Sequence, residues 1–371
     1  ILIYGHYDVQ PAEPLELWTS GAFGPVQRGE NLYSRGVSDM KGQVLATINA
    51  SEAVLEVGKS PVNIKFLVEG EEEIGSPNLA EFISAHQELL ACDFALNPDT
   101  GMIGPDKPTI TYALRGLAYF EVRVEGPDHD LHSGIYGGVV HNPAQALCEL
   151  IAGMHDENGA VTLPGYYDRV RSLDEEERSQ LAELPMDEDF YLKQTGSPSL
   201  WGEQEFSPVE RVGARPTLEV NGIYSGFIGE GSKTVLPSWA MAKISMRLVP
   251  DQDPEEVHQQ LLRYFEDQAP KTIKFEINHM VGSPASISDR NSTGVKAMQD
   301  AMQRVWGKTP LFRREGGTVP VVDLFSRILG IESVNCGFSL PDDNAHSPNE
   351  KLHLPTWNRG IDTIIHFFYN F

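Results

Sequence analysis

Cysteine is scarce in this sequence. The only three in 371 residues are Cys92, Cys148 and Cys336, and no two of them have the C-x-x-C spacing. An odd, widely separated set argues against a disulfide framework and favours a reducing compartment, so we expect a cytoplasmic protein. Each cysteine lies in an apolar strand or helix pattern, which predicts buried and unreactive thiols.

Long apolar runs and positive charge are also lacking. No apolar run approaches the length needed to cross a bilayer, so no membrane span is expected. Lys and Arg total 29 against 53 Asp and Glu, which gives a formal net charge of −24. Such a surface repels a phosphate backbone and argues against nucleic-acid binding. The sequence has neither a G-x-S-x-G elbow nor a recognisable catalytic Cys motif, which disfavours a hydrolase with a side-chain nucleophile.

The length indicates more than one folding unit. A chain of 371 residues exceeds what one hydrophobic core usually spans, so two domains are expected. Apolar residues at 40% and charged residues at 22% are typical of a globular protein. The sequence opens at Ile1 inside an apolar strand pattern, without an initiator Met. We therefore expect a truncated start, with any upstream targeting segment outside the sequence.

The first hundred residues alternate strand and helix patterns, which is typical of an α/β layer structure. Strands are predicted over 1–4, 62–68 and 93–96, and helices over 40–57 and 76–90. From about residue 290 the same style returns, with a helix over 294–306, a strand over 334–338 and an amphipathic terminal helix.

The middle of the chain reads differently. From residue 113, apolar and polar residues alternate, as in a strand with one buried and one wet face. A helix after Asn142-Pro143, strands over 217–221, 240–248 and 272–278, and a helix opening at 253–256 complete a ferredoxin-like order. Residues 155–213 form an acidic insertion, whose charge run at 174–177 predicts a solvated helix start. We expect domains at 1–112, 113–283 and 284–371, the first and last forming one unit.

The residues with catalytic potential lie in motifs at predicted strand ends, where ligand sites of α/β folds are found. They are Gly5-His6-Tyr7-Asp8, the segment 35–42 with Asp39, the run Glu71-Glu72-Glu73, Asn97-Pro98-Asp99, and the segment 344–350 with His346. Each motif has an ordinary structural interpretation: a structural histidine, a helix N-cap at Asp39, an exposed acidic turn. Together, two histidines and several carboxylates indicate a site for Zn²⁺, Mn²⁺ or a mixed pair.

The motifs taken together resemble the M20 metallopeptidase family, especially its carnosinase and cytosolic nonspecific dipeptidase branch. The matching pieces run in family order over nearly the whole chain: GHYDVQP, SRGVSDMKG, EGEEEIGS, NPDTG, LRGLAYFEVRV, DLHSGIYGG, KTVLP, SMRLVPDQDPEEV, REGGTVPV and NAHSPNEKL. The resemblance implies a zinc-exopeptidase-like catalytic domain with a mixed sheet. That domain is interrupted by an inserted α+β ferredoxin-like domain that acts as lid and dimerisation surface.

The resemblance also implies a dinuclear metal site. Asp39 would bridge two divalent ions, with Zn²⁺ preferred and Mn²⁺ as the alternative. The remaining ligands would be His6 and Asp99 for one ion and Glu73 and His346 for the other. Asp8 would orient His6, and Glu72 would be the general base, with Glu72-Glu73-Ile74-Gly75-Ser76 aligned to the family's Glu-Glu-x-Gly-Ser.

The lid would bring further residues. By the same resemblance, His132 would reach the site of a partner subunit in a homodimer and stabilise the oxyanion. Arg247 would hold the carboxylate of a small peptide substrate, with Thr234, Gly317 and Thr318 lining the same pocket. The histidines that match no family motif are expected to be structural or surface residues: His86, His258, His279, His353 and His366.

Two other functions remain open on the sequence alone. One is an amidohydrolase of the same family that acts on N-acyl amino acids, which the DLHSGIYGG and AHSPNEKL segments disfavour. The other is a non-catalytic metal-binding homologue, which would be supported by loss of a ligand or of the base. Neither loss is seen in this sequence.

Overall fold

A mixed seven-stranded sheet forms the centre of the computed structural model, which describes residues 1–371. The strand Leu2–His6 lies next to one edge of the sheet and pairs in parallel with the edge strand Lys65–Glu69 on one side and with Ala95–Asn97 on the other. Ser333–Asn335 pairs in parallel with Ala95–Asn97, and Leu311–Glu315 in parallel with Thr109–Leu114. Ser286–Ile287 adds an antiparallel edge to Thr109–Leu114.

The strand Leu2–His6 is buried on both faces, which explains its continuous apolar sequence. Ile3 belongs to one apolar cluster, and Leu2 and Tyr4 belong to another on the opposite face. The helices Gly42–Val57, Thr293–Trp306 and Leu354–Phe368 cover the first face. The helices Leu79–Ala85, Gln87–Leu90 and Pro320–Leu324 cover the second.

Because these strands are parallel, their carboxyl ends meet at one edge of the sheet. The loops after Leu2–His6, Lys65–Glu69 and Ala95–Asn97 therefore leave side by side. Gly337, just beyond Ser333–Asn335, holds this edge together. A Cβ at Gly337 would lie 1.9 Å from the carbonyl oxygen of Thr100 and 2.3 Å from that of Pro98, so only glycine permits this approach.

The inserted unit is a four-stranded antiparallel sheet with the spatial order Lys274–Ser283, Gly116–Glu125, Trp239–Leu248, Thr217–Ser225. The helices Pro143–Ala152 and Pro254–Gln268 pack on one face of it, over a core that includes Phe120 and Phe265. Numbered along the chain, the strands lie in the order 4-1-3-2, as the predicted ferredoxin-like arrangement requires. The alternation from Ala118 to Val124 is a strand with every second residue buried, as predicted.

The chain passes between the two sheets at two places. It leaves the seven-stranded sheet at Leu114 and enters the four-stranded one at Gly116, then returns between Ser283 and Ser286. These crossings lie within a few residues of the proposed domain limits at 112 and 283, which we keep as a proposal.

The acidic insertion packs onto the unit built around the seven-stranded sheet. The insertion contains the helices Glu175–Ala182, Glu188–Thr195 and Pro208–Ala214. The first and third bring Leu181 and Val209 against Ile103 and Leu311. The expected solvated helix start is wrong in part. Asp174 caps the helix, but Glu177 is buried and pairs with Arg314 at 2.5 Å. Arg314 lies in strand Leu311–Glu315, and its buried guanidinium neutralises the carboxylate of Glu177.

Other expectations also need correction. Cys148 is exposed, because it lies on the outer side of helix Pro143–Ala152, whereas Cys336 is buried as expected and Cys92 is partly buried. The helix predicted from Ser76 begins instead at Leu79, because Ser76 has a positive φ of 49° that ends the preceding turn.

Smaller elements complete the structure. A three-stranded sheet joins Val26–Arg28, Asn31–Tyr33 and Lys351–His353, and a two-stranded one joins Leu131–His132 to Val235–Leu236. The short helix Ser133–Tyr136 follows directly. Single helical turns span Leu15–Leu17, Val37–Lys41, Glu72–Ile74 and Phe325–Leu329. None of the helices has the length and apolar character that crossing a membrane requires.

Candidate metal centre

Asp39 stands between two histidines at the carboxyl edge of the seven-stranded sheet. Its Oδ1 lies 3.1 Å from Nε2 of His6, and its Oδ2 lies 2.9 Å from Nε2 of His346. Asp99 Oδ2 is 4.0 Å from the same His6 nitrogen, and Glu73 Oε2 is 3.4 Å from the same His346 nitrogen. Two groups of possible ligand atoms, each lying within 4.8 Å of one another, therefore share the single carboxylate of Asp39.

Each of these side chains comes from a different segment of the chain. His6 is the last residue of strand Leu2–His6, and Asp99 follows Ala95–Asn97 by two residues. Glu73 lies in the turn that follows Lys65–Glu69, and His346 lies in the loop before Lys351–His353, with a positive φ of 62°. The shared edge of the parallel strands brings together residues that are up to 340 positions apart.

The tautomer of His6 suits a metal ligand. Its Nδ1 lies 3.1 Å from the backbone carbonyl oxygen of Asp8 and 3.4 Å from Oδ1 of the same residue. A carbonyl oxygen only accepts hydrogen bonds, so Nδ1 carries the proton. This leaves the Nε2 lone pair directed at the carboxylates of Asp39 and Asp99, an arrangement that is stable only when a cation or a second proton lies between them.

The electrostatics of the cluster call for positive charge. Although burial opposes protonation of His6, the contacts with Asp39 and Asp99 outweigh it and raise the pKa of His6 to about 10. Contact with Asp39 also raises the pKa of His346. Burial and the neighbouring charge of Asp39 raise the pKa of Asp99. Divalent cations would satisfy this demand by displacing the protons, so the donor set fits a metal pair.

The three consecutive glutamates face different partners. Both carboxylate oxygens of Glu71 accept from Asn78 Nδ2, at 3.0 and 2.8 Å, away from the histidines. Glu73 faces His346 and accepts from Gln10 Nε2 at 2.8 Å. Burial raises the pKa of Glu72 to about 7, opposed by His6 and reinforced by Glu73. A carboxyl group with that pKa can take up and release a proton near neutrality.

A cavity of about 270 Å³ opens beside Asp39 and Asp99. Met186 and Phe190 of the acidic insertion form part of its lining, and the rest comes from the unit built around the seven-stranded sheet. The lining includes Arg313 and Glu315 on strand Leu311–Glu315, which pair with each other at 2.7 Å. The insertion thus contributes apolar surface next to the metal ligands, which the sequence patterns did not indicate.

The remaining predicted site residues form their hydrogen bonds outside the group of possible metal ligands around Asp39. Arg247 Nη1 donates to Thr318 Oγ1 at 2.8 Å, and Thr318 donates to the carbonyl oxygen of Arg115 at 2.7 Å, which places the two predicted pocket residues in contact. Thr234 lies beside Ser133, and a Cβ at Gly317 would meet only open space.

His132 is exposed, and its Nδ1 accepts from the backbone N–H of Gly134 at 2.9 Å. It makes no hydrogen bond or ion pair to the cluster around Asp39 within its own chain.

Residues 2–370 match the model of peptidase family M20/M25/M40. The chain belongs to this family. It is 33% identical to the human Beta-Ala-His dipeptidase over 99% of this chain and 74% of the human protein. It is 34% identical to a Cys-Gly metallodipeptidase of Schizosaccharomyces pombe, over 97% of this chain and 77% of that protein. The protein is therefore an M20 metallopeptidase, a hydrolase.

Solved structures of M20 enzymes share the fold. A metallo-carboxypeptidase of this family from Sulfolobus solfataricus superimposes with a TM-score of 0.90 at 34% identity, covering 99% of this chain and 84% of the other. Human carnosine dipeptidase 1 superimposes with a TM-score of 0.82 at 33% identity, covering all of this chain and 79% of the other. These likenesses confirm the α/β class and the mixed sheet that the motifs predicted.

Sequence reasoning missed the residue that positions Asp39. Glu350 is fully buried, and its carboxylate accepts from the backbone N–H groups of Gly36, Ser38 and Asp39 at 2.8, 2.9 and 3.1 Å. It also pairs with Arg35 at 2.8 Å. Arg35 lies in the segment 35–42 and Glu350 in the segment 344–350, and each of these segments also carries a predicted ligand. The opposite charges of Arg35 and Glu350 are the sequence feature from which their pairing could have been predicted.

We expect Glu350→Gln to weaken metal binding by about 10–100-fold, because an amide nitrogen would face backbone donors and release the loop that carries Asp39. Chelator competition, followed by the metal content of the protein, measures this affinity. Asp342→Asn is the control, since Asp342 is nearby in sequence but 73% exposed. Equal affinities in the two variants would contradict the positioning role of Glu350.

Proposed function

We propose that this M20 enzyme is a dipeptidase or short-peptide exopeptidase with two divalent ions per subunit. The observation that supports it most strongly is the shared position of Asp39 between His6 and His346. Imidazole and carboxylate donors suit Zn²⁺ as the preferred metal and Mn²⁺ as the alternative. The relatives with similar sequences are named as dipeptidases for Beta-Ala-His and Cys-Gly, which supports dipeptides as the substrate class.

We assign His6 and Asp99 to one ion, Glu73 and His346 to the other, and Asp39 to both. When bound, these ions would lower the pKa of the attacking water and polarise the scissile carbonyl group. Asp8 keeps the proton of His6 on Nδ1, so that Nε2 stays free as a donor to metal.

Glu72 is the proposed general base. It accepts a proton from the attacking water and returns it to the leaving amine, so that the amide bond breaks with no net change at the carboxyl group. Its raised pKa suits both steps, and the engagement of Glu71 with Asn78 leaves Glu72 as the free carboxyl group of the run.

Arg247 is the proposed anchor for the free carboxylate of the substrate. It is half-buried, forms no ion pair within the chain, and donates instead to a neutral hydroxyl of Thr318. A guanidinium held in this way offers its remaining N–H groups in a planar fork that matches a carboxylate. Gly317, Thr318 and Thr234 would line the space around that carboxylate.

The complete site is proposed to need a second copy of the chain. His132 is exposed and does not contact the metal ligands of its own subunit. Beside it lie exposed apolar side chains, with Ile135 at 67% and Val139 at 83% exposure, a composition suited to a protein interface. We therefore propose a homodimer in which the inserted unit acts as lid and His132 donates to the oxyanion of the partner's site.

The alternatives predict different behaviour. An N-acyl amino-acid amidohydrolase would use the same centre but turn over N-acetyl amino acids faster than dipeptides, so a panel of both substrates separates the two. A non-catalytic homologue would show no turnover of either class after metal reconstitution. The presence of every proposed ligand and of the proposed base argues against the non-catalytic homologue, and the dipeptidase names of the relatives favour dipeptides over N-acyl amino acids. We place it in the cytoplasm, because all three cysteines are free thiols.

We expect Glu72→Gln to retain its metals and to lose turnover of a dipeptide by about 10²–10⁴-fold, because the amide cannot accept the proton. Metal content and initial rates measure the two effects separately. Glu71→Gln, the adjacent carboxylate, is the matched control and should keep nearly normal rates. The reverse result, with Glu71→Gln inactive and Glu72→Gln active, would move the base by one residue.

Mixing two inactive variants tests whether His132 acts across subunits. His132→Ala and Glu72→Gln homodimers should each be nearly inactive, whereas their mixture should recover activity after subunit exchange. Random exchange makes about half of the dimers mixed, each with one complete site, so about a quarter of the wild-type rate should return. If the mixture stays as inactive as its components, His132 does not serve a partner's site.

A further inference from the structure

A second cluster of metal-binding side chains lies on the inserted unit, away from the centre at Asp39. Glu255 and His258 stand one turn apart at the start of helix Pro254–Gln268, and His279 faces them from strand Lys274–Ser283. One possible ligand atom from each of the three lies within 4.8 Å of the others. His258 and His279 match no motif of the family resemblance, so the peptidase reaction leaves this cluster without a role.

The orientation of His279 leaves one nitrogen free to bind. Its Nε2 lies 3.1 Å from the backbone carbonyl oxygen of Val281, which can only accept, so Nε2 carries the proton. Its Nδ1 then presents a lone pair to Glu255 Oε2 at 3.6 Å. Two acceptors facing each other repel unless a cation or a proton lies between them. A hydrogen bond from the other ring nitrogen to a backbone carbonyl also commonly fixes a metal-binding histidine.

His258 adds a second ligand that lacks any other partner. Both of its ring nitrogens are buried and neither forms a hydrogen bond, although Nδ1 lies 3.5 Å from Glu255 Oε1. Buried polar atoms without partners are uncommon in folded proteins and call for a specific explanation. Two neighbouring rings restrict the rotation of His258. The centroid of the His258 ring lies 5.6 Å from the centroid of the buried Phe120 ring and 5.3 Å from the centroid of the His279 ring.

The three side chains lie close enough together to bind a single ion, since one possible ligand atom from each lies within 4.8 Å of the others. Donor atoms about 2.0–2.2 Å from Zn²⁺ in a tetrahedral arrangement lie roughly 3.4 Å from each other. Glu255 Oε1 lies 3.5 Å from His258 Nδ1, and its Oε2 lies 3.6 Å from His279 Nδ1, so each imidazole is close to this distance from one carboxylate oxygen. Both distances exceed a normal hydrogen bond, so direct pairing does not account for the arrangement as well as a shared ion does.

We propose that Glu255, His258 and His279 form a third, independent transition-metal site that binds Zn²⁺. Two imidazoles and one carboxylate leave the fourth position to water. Glu255 is 65% exposed, so the ion can enter from solvent. Because the ligands come from the helix and from the edge strand beneath it, the bound ion fastens Pro254–Gln268 to Lys274–Ser283. The site stabilises the inserted unit and is not part of the peptidase reaction.

Zinc content tests the proposal on the full-length protein. Three proteins are compared: the wild type, Glu255→Gln and Glu266→Gln. Each is stripped of metal with a chelator, reloaded with Zn²⁺ and freed of excess metal by gel filtration. Elemental analysis then gives the zinc content per chain. Glu266 is an exposed glutamate on the same helix and serves as the matched control. Glu255→Gln should hold one Zn²⁺ fewer per chain than the wild type and the control. It should also hydrolyse dipeptides at the wild-type rate.

Reloading with Co²⁺ gives a second readout, the visible absorption of tetrahedral cobalt bound to this site. We expect that absorption to disappear both in His258→Gln and in Glu255→Gln. Equal zinc content in Glu255→Gln, Glu266→Gln and the wild type would overturn the proposal. The cluster would then be an ion pair between protonated histidines and Glu255. This comparison is independent of the proposed peptidase activity, because it depends on the difference of one ion and not on turnover.

Discussion

The position of one carboxylate determines what this structure can do. Asp39 faces His6 through one oxygen and His346 through the other, and no other side chain joins the two groups of ligands. Its loop is fixed by a second, buried carboxylate, Glu350, which accepts three backbone N–H groups and pairs with Arg35. The parallel sheet supplies the edge at which these segments meet, and Glu350 connects the two ends of the chain there.

The strand-end rule of α/β folds predicted much of the centre from sequence. His6 and Asp99 are found where apolar strands end, and the ferredoxin-like order of the inserted unit followed from its alternating pattern. Those features could be predicted because burial on one or both faces of a strand produces a regular pattern of apolar residues in the local sequence. The order of the family motifs then favoured Asp39 as a shared ligand over Asp39 as an ordinary helix cap.

Other features depended on contacts that no local pattern records. Glu350 satisfies backbone groups more than 300 residues away, and Glu177 is buried because Arg314 lies opposite it. His258 and His279 looked unremarkable separately, and only the packing of helix Pro254–Gln268 on the sheet brings them beside Glu255. In each case the chemistry arises from two segments that are unrelated in sequence and meet through tertiary packing.

The central claim is that Asp39 bridges a pair of metal ions, and anomalous X-ray scattering from crystals loaded with Zn²⁺ tests it most directly. The account predicts two strong peaks roughly 3.5–4 Å apart at the carboxyl edge of the seven-stranded sheet, one on each carboxylate oxygen of Asp39. His6 and Asp99 should bind one ion, and Glu73 and His346 the other. A single peak at that edge in fully loaded crystals, or a second peak there that does not contact Asp39, would contradict the bridging role of Asp39, whereas a further peak at Glu255 on the inserted unit would not.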